Sequence, residues 1–134
     1  MDNIFTWECE PRDHEVDFQG RVSNVYYLVY MEQARYLHSK SLGIDFRGTD
    51  NRTFDLVVVK TIIDFKAPIG GTDTFIVTSK FSLIGKVRLV AEQQIIRKND
   101  GKVVAWAEHT IACIDRASGR PIALPDDLKL KFNL

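Results

Sequence analysis

The chain has 134 residues, 45% hydrophobic and 27% charged, which fits one globular domain able to bury a sizeable core and leaves no room for a second. Eighteen basic residues balance eighteen acidic ones, so no net charge argues for nucleic acid or an anionic membrane as a partner; only a local basic patch remains. No run approaches the roughly 18 apolar residues of a membrane span, and MDNIFTWECEP has neither the basic nor the apolar region of a secretory signal, so the expectation is a cytoplasmic protein without an integral membrane segment.

The first element is a strand around Ile4 to Glu10, with Ile4, Thr6 and Glu8 facing one way and Phe5, Trp7 and Cys9 the other. Pro11 ends it. A polar loop follows, carrying Gly20 and an isolated carboxylate, Asp17. From about Asn24 the apolar residues Tyr27, Met31, Ala34, Leu37 and Leu42 recur at three- to five-residue intervals, the period of one buried helical stripe. Ser23 or Asn24 caps the start and Gly43 supplies a left-handed stop. This helix, about 18 residues or roughly 27 Å long, is the only long one the sequence can make, and everything downstream reads as strand and turn.

After the connection DFRGTDNRT, four segments show two-residue alternation or β-branched runs: Phe54 to Phe65, Thr74 to Ile84, Val87 to Lys98 and Lys102 to Arg116. Turns at KAPIGGTD, at Gly85, at Asn99-Asp100-Gly101 and at Ser118 to Pro121 separate and close them. Such short loops require antiparallel neighbours, because a parallel crossover needs a dozen or more residues. The first of the four is apolar on both faces, with Leu56, Val58 and Ile62 on one and Val57, Val59, Ile63 and Phe65 on the other. That pattern calls for a second sheet, a second subunit or a substrate channel beside it.

Cys9 and Cys113 lie in strand-like segments and read as reduced, buried thiols. His14, His38 and His109 are scattered, without the spacing of a metal site; His109, in WAEHTIAC, reads as a sheet-face residue. The fold class is α+β, one long helix wrapped by a five-stranded antiparallel sheet. Both the hotdog fold and the cystatin-like sheets satisfy it.

The loop and helix separate these two. Asp17-x-x-Gly20-x-Val22, then Tyr27, then Glu32, Ala34 and Arg35 on the helix, resembles the pattern of the 4-hydroxybenzoyl-CoA thioesterase family, which includes the Tol-Pal-associated acyl-CoA thioesterases. Phe65 to Pro68, Cys113-Ile114-Asp115 and Arg120-Pro121-x-Ala123-Leu124-Pro125 extend the likeness over essentially the whole chain. The resemblance implies a hotdog fold assembled as a homodimer or homotetramer with sites at subunit interfaces. It further implies hydrolysis of an acyl-CoA, or of an acyl carrier protein thioester, without metal or organic cofactor. A non-catalytic acyl-thioester-binding or assembly protein is the alternative from another class.

In such proteins the aspartate matching Asp17 is nucleophile or general base, and a backbone N–H at the helix start, here Asn24, polarises the carbonyl. A helix N-terminus suits that task, since its N–H groups are unpaired and its dipole end is positive. Two departures stand out: the family usually carries His or Tyr at Asn24, and often Tyr at Asp13. The remaining candidates are substrate-binding. Gly20 and Val22 belong to the motif, and Tyr27 lines an acyl pocket or the core. Glu32 and Arg35 form an intrahelical ion pair or take a place at the site or subunit contact. The bend Gly85-Lys86-Val87-Arg88 offers amides and two cations to CoA phosphates.

Overall fold

The computed structural model describes residues 4–45, 51–85 and 87–134. Gly48 of the long connection and Lys86 of the bend therefore lie outside the described residues. The elements run β1 (Ile4–Cys9), a single 3-10 turn (Asp13–Glu15), α1 (Asn24–Ser41), β2 (Phe54–Phe65), β3 (Phe75–Ile84), β4 (Arg88–Arg97), β5 (Val103–Asp115), β6 (Pro121–Ile122) and α2 (Asp126–Phe132). The long strands are antiparallel throughout, in the order β1-β3-β4-β5-β2, and β6 adds two residues to β5. The sheet has six strands rather than the expected five, because the chain after the last turn folds back on Cys113 and Ile114.

Odd-numbered residues of β5, from Ala105 to Cys113, are buried on one face, and the register aligns Leu89, Ala91, Gln93 and Ile95 of β4 with them. Onto this face α1 packs, meeting β1, β3 and β4. Its buried residues are Tyr27, Tyr30, Met31, Ala34, His38 and Ser39. Leu37 and Leu42, expected in the stripe, are only half-buried. At that end the inner position belongs to His38, whose Nδ1 pairs with Ser79 Oγ at 3.0 Å and whose ring stacks between Phe5 and Phe81 at 5.1 and 4.5 Å. A helix-spanning period marks which face is inward, but a histidine with a buried partner fits that face as well as a leucine does. Gly43 closes the helix with positive φ, as expected.

The second helix, α2, corrects the reading that only strand follows α1. Seven residues are too few for periodicity to show. What holds α2 is burial of Leu128 and Phe132, one turn apart, with the Phe132 ring 4.8 Å from that of Phe81. The two helices cover the edge strand β2 only in part. Val57, Val58, Val59, Ile62 and Phe65 are all exposed, and a register shift between Val58 and Lys60 interrupts the pairing with β5. Its apolar residues are thus only partly covered: the Phe65 ring stands 5.5 Å from that of Tyr27 on α1, and Ile63 and Leu56 pack on the core, while the three valines and Ile62 stay exposed.

Candidate active site

Backbone hydrogen bonds shape the loop around Asp17. Within the loop, Asp17 N–H donates to Arg21 O at 2.8 Å and Gly20 N–H to Asp17 O at 3.0 Å, a tight turn that gives Gly20 a φ of 77°. Asp17 Oδ1 accepts from the N–H groups of Gln19 (2.9 Å) and Arg21 (3.1 Å), so half of the carboxylate caps its own turn. Oδ2 makes no hydrogen bond among the described residues. The loop is clamped from below by the segment after β2. Val22 N–H donates to Ile69 O and Gly71 N–H to Gly20 O, both at 2.9 Å, and Arg21 bridges to Gly70. A Cβ at Gly71 would stand 3.0 Å from Val16 Cγ1, so a larger residue there would require the Val16 side chain to give way.

A buried carboxylate ties the same loop to α1. Glu15 Oε1 accepts from Arg12 N–H at 2.8 Å and from the Tyr30 hydroxyl at 2.7 Å, while its carbonyl accepts from Ser23 N–H at 3.1 Å. Burial, and then this carboxylate, push the Tyr30 phenol far up, so the hydroxyl stays a donor. The turn before Asp17 is thereby locked to the N-cap of α1 at Ser23 and to Tyr30 in its second turn. At the helix start Ser23 is the N-cap but makes no side-chain cap bond, and Asn24 N–H has no acceptor among the described residues.

Asp17, Val22, Ser23, Asn24 and Tyr27 line one cavity of about 520 Å³, closed on the other side by Phe65 to Pro68. The structure thus brings together Asp17, Asn24, Val22 and Tyr27, with Gly20 shaping the turn. Within this group Val22 is also core, being 5% exposed. Tyr27 is held structurally: its hydroxyl donates to Ala67 O at 3.2 Å and accepts from Ile69 N–H at 3.0 Å. Two cations missed by sequence reasoning, Arg21 and Lys66, stand at the mouth of this cavity without an ion pair among the described residues. Lys66 comes from the clamp segment, 45 positions after Arg21, and no local pattern joins the two.

Other candidates fall elsewhere. Glu32 and Arg35 line a second cavity farther along the α1–β2 gap. Of the two roles expected for them, the intrahelical ion pair is not formed: Arg35 Nη1 donates to Gln93 Oε1 at 3.0 Å instead. Gly85 and Arg88 lie at the opposite end of β3 and β4 from the Asp17 loop. At about 3.3 Å per residue, ten strand residues put roughly 33 Å between them, too far for one thioester to span both within one chain. Among the described residues no cluster of His, Cys, Asp or Glu has the makings of a metal site. Both cysteines are free thiols, Cys113 buried and Cys9 half-buried.

Residues 11–132 match the model of the thioesterase-like superfamily. A chloroplastic acyl-acyl carrier protein thioesterase of Arabidopsis thaliana is 28% identical over 93% of this chain, which spans 66% of that protein's length. The long-chain acyl-CoA thioesterase FadM of Escherichia coli is also 28% identical over 93% of the chain, and here 94% of the relative is covered. In fold, the chain superposes on a 1,4-dihydroxy-2-naphthoyl-CoA thioesterase from Synechocystis with a TM-score of 0.89 at 21% identity, covering 97% of this chain and 96% of that one.

Proposed function

The chain belongs to the thioesterase-like superfamily with a hotdog fold, and from that premise we propose that it hydrolyses an acyl-CoA thioester to the free acid and CoA. The observation that carries this reading is a single cavity walled by the Asp17 carboxylate and the open N-terminus of α1. A thioester carbonyl seated against Asn24 directs its oxygen at an unpaired N–H and the positive end of the helix dipole, where charge develops in the tetrahedral intermediate. Asp17 acts from the carbon side, its orientation set by the turn that holds Oδ1.

As general base, Asp17 takes a proton from water while the water oxygen bonds to the carbonyl carbon. Collapse of the intermediate then breaks the C–S bond, and the departing thiolate takes up that proton. As nucleophile, Asp17 itself bonds to the carbon and expels the thiolate, and water opens the resulting mixed anhydride. Neither route calls on a metal or organic cofactor. Thiol release from short, long and aromatic acyl-CoA esters, with wild type and Asp17→Asn side by side, tests the reading. The variant is expected to lose roughly two to four orders of magnitude in turnover; near-wild-type turnover removes Asp17 from the mechanism.

Hydrolysis of an acyl carrier protein thioester is the second reading. It is favoured by the name of the plant relative and by Arg21 and Lys66, which an acidic carrier would meet at the cavity mouth. Matched acyl-CoA and acyl-carrier substrates decide between them. Release from neither would leave a binding or assembly protein. The working unit in this reading is a homodimer formed edge to edge through β2. A two-fold axis at that edge reverses the partner's strands and carries its Gly85 bend to the Asp17 end, so the bend remains a phosphate candidate only across subunits.

A further inference from the structure

Ser23 is the N-cap of α1, with φ −65° and ψ 141°, and both of its backbone groups are committed. Its N–H donates to Glu15 O at 3.1 Å, and its carbonyl accepts from Tyr26 N–H at 3.0 Å. The backbone is therefore pinned, and the hydroxyl alone is left to turn. A serine at this position ordinarily bonds its Oγ to an N–H of the first helical turn, which closes that donor to anything else. Ser23 makes no such bond, and the residue is exposed on the wall of the cavity that Asp17 and Asn24 share.

Without that cap, the N–H groups of both Asn24 and Val25 have no acceptor among the described residues and stay open to an oxygen of the substrate. Charge within the helix does not answer them either. The first turn of α1 contains no acidic residue, whereas that of α2 contains Asp126 and Asp127, so the positive end of the α1 dipole is not offset by its own turn. A hydroxyl released from capping stands beside these donors as a further one, since the side chain of an N-cap residue leaves the chain at the end of the helix axis, over the first N–H groups. The carboxamide of Asn24, one residue later, radiates from the axis instead.

We propose that the Ser23 hydroxyl is a catalytic hydrogen-bond donor, giving its O–H to the thioester carbonyl oxygen beside the N–H of Asn24. The inference rests on the thioesterase reading and adds a side chain to its chemistry. As Asp17 or the water it activates adds to the carbonyl carbon, the C=O electron pair moves onto oxygen, and these donors hold the charge. When that pair returns, the C–S bond breaks and the thiolate leaves. Ser23 keeps its proton throughout. Its pinned backbone means that the donor is in place before charge develops.

One variant separates a cap from a catalytic donor. Ser23→Ala is expected to lower kcat for acyl-CoA esters roughly 100-fold, the loss usual for one oxyanion donor, with KM little changed. Its midpoint in urea should equal that of wild type, because no cap bond is lost. Ser23→Thr, which keeps the hydroxyl, is expected to recover most of the rate. Wild-type kcat in Ser23→Ala overturns the proposal, and so does a fall in kcat that comes with a lower urea midpoint, the mark of a lost cap. Polarisation is read without turnover from ketone analogues of octanoyl-CoA and benzoyl-CoA, with a methylene in place of sulfur and carbon-13 at the carbonyl. Their C=O stretch is expected at lower wavenumber when bound to wild type than when bound to Ser23→Ala; equal frequencies overturn the proposal. If wild type cleaves no ester, the thioesterase reading fails by itself, and the infrared comparison still decides whether Ser23 donates to a carbonyl oxygen.

Discussion

Asp17 illustrates how one carboxylate can hold a turn and line a cavity. Its Oδ1 is fixed by two backbone N–H groups, and this turn-capping role is what a lone loop aspartate ordinarily performs. The motif around it made the residue legible, because Gly20 and Val22 recur at fixed offsets in the resembling family. Glu15, two positions earlier, was not legible. A single acid among charged loop residues carries no pattern, and only folding reveals that it is 5% exposed and bonded to Tyr30 on α1. Tyr30→Phe leaves Arg12 N–H as the one hydrogen-bond donor to that buried carboxylate among the described residues, and we expect it to cost about 1–3 kcal/mol in urea denaturation. Turnover should fall as well, since the Asp17 loop loses its tie to α1; unchanged stability and turnover would show that Glu15 holds nothing.

At the level of elements, the clamp segment after β2 supplies what no single stretch could. Lys66 joins Arg21 beside Asp17 only because Val22 and Gly71 hydrogen-bond the two segments together. Arg21→Ala with Lys66→Ala is expected to raise KM for CoA esters roughly tenfold while sparing pantetheine thioesters, which lack the nucleotide phosphates. Equal effects on both classes would place the cations elsewhere in the mechanism. The bend at Gly85 shows the opposite lesson. Its glycine and flanking cations were readable in sequence, yet antiparallel pairing of β3 with β4 sends it to the far end of the sheet.

For the molecule as a whole, the partly exposed β2 edge is the dominant feature. Val57, Val59 and Ile62 are between 42% and 48% exposed, and Leu28, Val29 and Tyr36 of α1 are exposed as well. An apolar strand edge of this kind invites pairing with another chain. Ile62→Lys is expected to shift light-scattering mass from dimer to monomer with loss of turnover; a monomeric wild type would remove the shared-site reading. Acid should also destabilise the fold. Burial pushes His38 and His109 down to about 4, for His109 with the Arg35 charge as a second cause. The unfolded chain takes up these protons near pH 6.5, so stability is full above that value and falls as pH drops toward 4. We expect the melting temperature to fall by about 5 °C or more across that window; a flat profile would mean that the histidines are already protonated in the fold.

The sequence by itself determined the α+β order, the bounds of α1 to within its caps and the antiparallel strands, and it singled out Asp17 as a candidate. These rest on periodicity, turn residues and a local motif, all of which act over a few neighbouring positions. Tertiary structure alone decided the rest: the buried Glu15–Tyr30 bond, the meeting of Arg21 with Lys66, Arg35 turning to Gln93 rather than Glu32, and α2 closing the second cavity. Each of these joins residues whose separation along the chain is unrelated to their separation in space, and the energy that selects them comes from burial, which exists only once the sheet has closed around α1.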